Sequence, residues 1–337
     1  MKRVLVIGGG GYLGSVLTRQ LLDKGYDVGI FQRFVGLIPE VESLAKHPNL
    51  KLYAGDVRHY ETMLQPMRER DAVIHLTGLV GAHACESDRE ESININCTAT
   101  RNVIRACRES GVRQLLFAST CSVYGANDNV VSESSPLNPV DYYAKTKIAS
   151  EADVLIANSK TLSTTVLRMG TIFGLSPRMR FDLIVNLLTA KACTDRRITI
   201  RGGGQWRPFV HVRDAGLAYL KVLEAPISRV SGQVFNVGSF QLNLTIGDVG
   251  GRIARLVPEA ELVIEPADDL RNYRVSFSKI EQELEYQAEV GLEQGVNEVI
   301  SEFRKGRFAD WHDAKYSTFI HDMRDYYRIL AKSRVTT

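Results

Sequence analysis

Tyr143 and Lys147 stand four residues apart in Asp141-Tyr142-Tyr143-Ala144-Lys145-Thr146-Lys147. On a helix that spacing puts both side chains on one face, where they meet. A free phenol has a pKa near 10 and is a poor base at neutral pH. A lysine cation beside it favours the phenolate, and a drop of about three would bring the group near a working pH. Such a base takes a proton from a secondary alcohol. Some twenty residues earlier, Phe117-Ala118-Ser119-Thr120-Cys121-Ser122-Val123-Tyr124-Gly125 reads as a buried strand that ends in hydroxyls. Thr120 is placed to hydrogen-bond and orient the same alcohol oxygen, with Ser122 on the substrate's side. Alone, Tyr-x-x-x-Lys is as readily a solvated helix face. The opening of the chain decides between the two.

Val4-Leu5-Val6-Ile7 is a short buried strand that breaks into Gly8-Gly9-Gly10-Gly11-Tyr12-Leu13-Gly14, and Ser15 to Leu22 follow at helical spacing. Glycine serves where the backbone turns tightly, approaches a pyrophosphate, or packs helix on strand. The free N–H groups of the new helix then face the phosphates, with Tyr12 and Leu13 in the cofactor-binding turn before it. Glycines 8, 11 and 14 give G-x-x-G-x-x-G, and Gly10 also satisfies G-x-G. A flexible loop has the same letters; a strand before and a helix after make this a dinucleotide site. The positive nicotinamide ring would add to the lysine's support for the phenolate, and hydride would leave the alcohol carbon for the cofactor.

Further strands are expected at Asp27–Phe31, Leu50–Tyr53, Ala72–Leu76, Gln114–Ala118 and Thr164–Arg168, with helices near 14–24, 40–46, 60–68, 90–110 and 141–158. The alternation predicts an α/β fold, a Rossmann-type doubly wound parallel sheet. Beyond about Gly170 the pattern loosens. Gly174-Leu175-Ser176-Pro177 and Gly202-Gly203-Gly204 read as loops. The strand Gln233–Val237, the helix Thr245–Leu256 and the strand Glu261–Ile264 suggest a smaller α/β C-terminal unit for the substrate. By residue range, 1–172 with about 206–238 form the dinucleotide-binding domain, and 173–205 with 239–337 the substrate domain. Tyr316, Phe319, Met323, Tyr326, Tyr327 and Leu330 read as a packing stripe on a final helix rather than a partner surface.

With 337 residues the chain can bury a large core. A net charge of +3 with no long basic run disfavours a nucleic-acid partner. The five cysteines show no C-x-x-C pair and no nearby histidine pattern, which argues against a metal site and a disulfide framework. Met1-Lys2-Arg3 precedes too short an apolar run for a signal peptide, and no segment approaches the roughly 20 apolar residues of a membrane span. A cytoplasmic location is expected.

These motifs resemble the extended short-chain dehydrogenase/reductase family, in particular its nucleotide-sugar epimerases, dehydratases and reductases, from Lys2 to about Gly306. The resemblance implies that Asp56 and Val57, in Gly55-Asp56-Val57-Arg58, sit at the adenine, with a turn residue as the plain alternative for Asp56. It implies that Leu76, Thr77 and Gly78 pass behind the nicotinamide ribose with Asn94 beside them. It implies that Arg207 and Arg271 bind the substrate's pyrophosphate, work that suits the planar guanidinium fork; a surface ion pair is the plain alternative for both.

Two departures from the family are as informative. Its 4,6-dehydratases carry two acids where this chain has Cys121 and Ser122, so elimination lacks its proton donor and base. Cys121 reads as a small packing residue, with an acid/base role as the alternative. At the end of the second strand, where NAD users place an acid for the ribose hydroxyls, stand Gln32 and Arg33. Arg33 could meet a 2′-phosphate or stack on adenine, so NADP is slightly favoured over NAD. The expected function is epimerisation of a nucleotide-diphosphate sugar through a transient 4-keto sugar. An NADPH-dependent 4-ketoreductase is the alternative, and a non-catalytic dinucleotide sensor stands further off. Surplus apolar residues on the helices near 90–110 and 141–158, among them Ile93, Ile95, Val103, Ile104, Ile148, Val154, Leu155 and Ile156, suggest a homodimer.

Overall fold

A computed structural model describes residues 2–33, 44, 46–267 and 271–317 of the chain. Numbered in chain order, β1 (Arg3–Ile7), β2 (Asp27–Gln32), β3 (Leu50–Ala54), β4 (Ala72–His75), β5 (Gln114–Thr120) and β7 (Ser163–Met169) match the six expected strands of the first half. With β11 (Gln233–Val237) they form one sheet in the order β11-β7-β5-β4-β1-β2-β3, and every pairing is parallel. Gln233–Val237, read both with the smaller unit and within the range 206–238 of the dinucleotide-binding domain, thus lies in the main sheet. Its pairing partner, β7, lies some seventy residues back, and a strand's own pattern does not name its neighbour.

Both faces of the sheet are covered, which is why its strands read as continuous apolar runs. Alternate residues of β1 enter different cores, as a period of two requires. Val4 and Val6 join Leu17 and Leu21 of the helix Tyr12–Asp23 and Ala215 of the helix Val212–Glu224. Leu5 and Ile7 join Val103 and Val154, from the helices Ala99–Glu109 and Tyr142–Ile156. The strand order reverses between β1 and β4, the switch point where doubly wound sheets open a crevice at the carboxyl ends of their strands. Gly8 follows β1 and Leu76 follows β4, and the Leu76 N–H donates to Ile7 O at 3.0 Å.

The smaller unit packs the helices Ile184–Thr194, Ile246–Leu256 and Leu292–Arg304 around Phe173, Ile198, Ile200 and Phe209. Its strands are short: β8 (Thr171–Phe173), β10 (Trp206–His211) and β12 (Asn243–Thr245) form one sheet, β9 (Arg197–Arg201) pairs with β13 (Glu261–Glu265), and β6 (Ala126–Val131) with β14 (Asn272–Val275).

The helix expected near 90–110 is real but interrupted. Arg89–Ser92 and Ala99–Glu109 are α-helical, and Ile93–Thr98 between them is a π-turn, a local widening common at functional sites. The helix expected near 40–46 lies outside the described residues except for Leu44 and Lys46, as do Phe319, Met323, Tyr326, Tyr327 and Leu330 of the C-terminal stripe.

Candidate active site

The glycine turn is built for close approach. Gly8 has φ +87°, and a Cβ at Gly14 would fall 2.1 Å from Gly8 O. The Gly11 N–H donates to Gly8 O at 3.0 Å, and the helix from Tyr12 starts with no side-chain cap and no acid in its first turn. Unfilled donors and the positive end of the dipole therefore open toward an anion. These residues, with Leu76, Thr77 and Gly78, line a cavity of about 1010 Å³ that Thr120, Ser122, Tyr143, Lys147, Arg207 and Arg271 also line. The turn and its cavity fit the diphosphate of a dinucleotide.

Gln32, Arg33, Asp56, Val57 and Asn94 stand outside that wall. Gln32 braces the glycine turn: its Oε1 accepts from the Gly10 N–H at 2.8 Å. Asp56 accepts from Arg58 Nη2 at 2.7 Å and from Nε at 3.1 Å, and Arg58 also reaches Glu91. Burial pushes the Asp56 carboxyl up, but the hydrogen bonds and charge of Arg58, with the charge of Arg33, hold it below the usual range. In the segment of Asn94 the side chain with a visible task is Asn96. Buried at the π-turn, it accepts from the Leu79 N–H at 2.8 Å and donates to Leu79 O and Thr146 Oγ1. It thereby ties the chain after β4 to the helix Tyr142–Ile156. Which asparagine turns inward depends on the π-turn, which spacing does not reveal.

Asp141 fixes the start of that helix by accepting from the Ala144 N–H at 2.8 Å. Tyr143 and Lys147 then point one turn apart into the cavity. Thr120 closes β5 and lines the cavity beside Tyr143, where it favours the phenolate. Thr120 Oγ1 also donates to Ser122 Oγ at 3.1 Å, which Tyr273 Oη reaches at 3.4 Å. The three side chains grouped by sequence reasoning all line this cavity.

In the chain by itself the tyrosine's pKa moves the other way. Burial, then Cys85, push the Tyr143 phenol well above its usual value, outweighing Arg180 and Thr120. Lys147, 5% exposed, is pushed down by burial to about 8, with Glu151 the largest opposing influence. The i, i+4 spacing gives proximity but not dielectric, and in this apolar wall desolvation dominates.

Arg207 is buried and donates through Nη1 to Trp206 O at 2.8 Å and to Arg271 O, so the two arginines meet at the cavity wall. Cys121 is 1% exposed behind the wall, its Sγ 3.2 Å from Arg168 O, and burial pushes its thiol well up. That is a packing residue.

Four cations on the wall were missed: Lys191, Arg201 and, just after the segment read as a loop, Arg178 and Arg180. The loop is well anchored. Tyr12 Oη donates to Gly174 O at 2.6 Å and Ser176 Oγ to Tyr12 O at 2.7 Å. Phe181 is ringed by Phe303, Phe308, Trp311 and Tyr316 at 5.1–5.8 Å. Arg180 pairs with Asp182 at 2.6 Å, whereas Arg178 has no side-chain partner among the described residues. For Arg178 and Arg180 the cue was Ser176-Pro177-Arg178-Met179-Arg180, two residues after the loop glycine Gly174. Among the described residues no group of His, Cys, Asp or Glu could hold a metal ion, and no helix is long and apolar enough to cross a membrane.

Residues 4–238 match the family model described as the NAD dependent epimerase/dehydratase family. A Bacillus subtilis protein, described as an uncharacterized UDP-glucose epimerase, is 28% identical over 314 residues, covering 89% of this chain and 97% of that one. A UDP-N-acetyl-alpha-D-glucosaminuronate decarboxylase of Bacillus cytotoxicus is 26% identical over 90% of this chain and 98% of its own. Among solved structures, MoeE5 in complex with UDP-glucuronic acid and NAD superposes with a TM-score of 0.80 at 26% identity, covering 90% and 99% of the two chains.

Proposed function

Because the chain belongs to the NAD-dependent epimerase/dehydratase family, we propose that it is an epimerase of a nucleotide-diphosphate sugar, working through a transient 4-keto sugar. The observation that supports this most is the joining of Thr120, Tyr143 and Lys147 on one cavity wall, with no acid at Cys121 or Ser122. A bound nicotinamide supplies the hydride acceptor and, on return, the hydride donor. Thr120 and Tyr143 hold the sugar hydroxyl between them. Tyr143 takes its proton, Lys147 offsets the negative charge left on the phenol, and Tyr143 returns the proton once the sugar has turned. Arg207 and Arg271 anchor the diphosphate, so the sugar can turn about a fixed point; Arg178 and Arg180 add positive charge to the same cavity.

The test is cofactor stoichiometry. Incubated with a panel of nucleotide hexoses, the enzyme should yield the epimer with catalytic NAD or NADP. Product that appears only with stoichiometric NADPH, and only from a 4-keto sugar, identifies the 4-ketoreductase that Gln32 and Arg33 would also suit. Binding of dinucleotide without product identifies a sensor.

MoeE5 carries NAD; here Gln32 and Arg33 put no carboxylate where a 2′-phosphate would be repelled, so NADP is admitted as well. The double variant Gln32→Asp/Arg33→Ala should lower the ratio of NADP to NAD affinity tenfold or more in fluorescence titrations. An unchanged ratio would leave Gln32 as the brace of Gly10 and nothing else.

The reading includes a homodimer paired through the helices Ala99–Glu109 and Tyr142–Ile156. Its apolar surplus is smaller than the sequence suggests: Val103, Ile104 and Val154 are buried in the chain's own core, whereas Ile93 and Ile156 (79% exposed) remain outside. Sedimentation at micromolar concentration should give twice the chain mass, and Ile156→Glu should lower it; a monomer in both would remove this part of the reading.

A further inference from the structure

Lys147 is held among groups that carry almost no charge to balance it. Its Nζ lies 4.1 Å from the centre of the Phe117 ring, on β5. From β4 faces His75, which burial, then Lys147 itself, push down to about 3. Cys85 and Cys97, from the helix Ala82–Ser87 and the π-turn, have thiols raised by burial. All three are neutral near pH 7. Among the described groups that act on Lys147, the one carboxylate is Glu151, the next turn of its own helix.

Glu151 is itself buried and held by two side chains. Arg168 Nη2 donates to Oε2 at 2.8 Å, and Arg168 Nε lies 3.1 and 3.2 Å from the two oxygens. The Ser119 hydroxyl donates to Oε1. Arg168 Nη1 donates to Tyr124 Oη at 2.9 Å, and Tyr124 in turn to Asn236 Oδ1 at 2.7 Å. The clamp thus spans β5, β7 and β11. A buried pair of this kind is weak as a device for stability, because desolvation offsets most of its attraction. Its placement one turn from Lys147 suggests another use.

We propose that Glu151, clamped by Arg168 and Ser119, is a positioning residue whose carboxylate keeps Lys147 charged beside Tyr143. The inference rests on the reading of Tyr143 and Lys147 as the proton-handling pair. Without Glu151 the lysine would face Phe117, a neutral imidazole, two thiols and the Tyr143 phenol, and would lose its proton at lower pH. Arg168 serves by holding the carboxylate in place rather than by touching substrate.

The full-length chain carrying 13C,15N-lysine, with Lys147 assigned by comparison with Lys147→Arg, allows its side chain to be titrated directly by NMR. Glu151→Gln/Arg168→Met removes both charges, so no guanidinium is left buried and unpaired. The Lys147 midpoint should fall by one pH unit or more, a loss of about tenfold in its charged-to-neutral ratio. Glu151→Asp, with its shorter reach, should fall between the two. A folded double variant whose midpoint stays within about 0.3 of wild type overturns the proposal. Should the double variant not fold, an unshifted midpoint in Glu151→Asp does the same. The titration needs no substrate: a wild type that proves inactive on nucleotide sugars would defeat the functional reading while the role of Glu151 is still decided. With an active enzyme, the alkaline limb of the pH–rate profile should move to lower pH with the midpoint.

Discussion

Tyr143→Phe should lose about three orders of magnitude of turnover or more, on the scale of removing a positioned general base, while binding the dinucleotide within about twofold of wild type. Three orders correspond to about 4 kcal/mol of barrier. Phenylalanine keeps the ring against the wall beside Thr120 and removes only the Oη. The glycine turn and the uncapped helix start that face the diphosphate are untouched. The chain's own residues hold the phenol above its ordinary value, so the positive ring of the oxidised cofactor must supply part of the support the phenolate needs. Wild-type activity should therefore rise with pH toward the alkaline side until Lys147, pushed down to about 8, begins to lose its proton. Steady-state rates and cofactor titrations on the two proteins check the prediction. A phenylalanine variant with near wild-type turnover would remove Tyr143 from the chemistry.

Dehydration of a nucleotide-diphosphate hexose should be at least about a thousandfold slower than epimerisation, even for the correct base. Elimination across C5 and C6 needs one group to take the C5 proton and another to protonate the departing hydroxyl. Cys121 cannot serve: it lies behind the wall against Arg168 O, and burial keeps its thiol protonated. Ser122 does line the cavity, but it is a hydroxyl engaged with Thr120 and Tyr273. Oxidation at C4 remains open to Thr120, Tyr143 and Lys147, so the sugar should reverse from the keto state rather than lose water. The alkaline absorbance of 4-keto-6-deoxy sugars, followed over a panel of nucleotide hexoses, measures this. Its rise at enzymatic rates would overturn the epimerase reading in favour of a dehydratase with unusual acid/base groups.

Sequence alone determined whatever depends on short-range periodicity. The apolar run before Gly8, the helix after it and the alternation that followed were enough for a parallel doubly wound sheet, since strand and helix periods are local properties of the chain. The i, i+4 spacing of Tyr143 and Lys147, with hydroxyls at the end of β5, was enough for the same reason to group the side chains that share one cavity wall. Tertiary structure decided everything that needs two distant segments at once. It placed Gln233–Val237 beside β7, turned Asn96 inward at a π-turn, and joined Arg207 to Arg271. It also brought Arg178 and Arg180 to the cavity on a loop pinned by Tyr12 and Phe181. The sign of the tyrosine's shift belongs with these. Charge can be counted along a sequence, but the cost of burying it depends on how completely Phe117, Cys85 and their neighbours exclude water. Only the packed chain sets that exclusion.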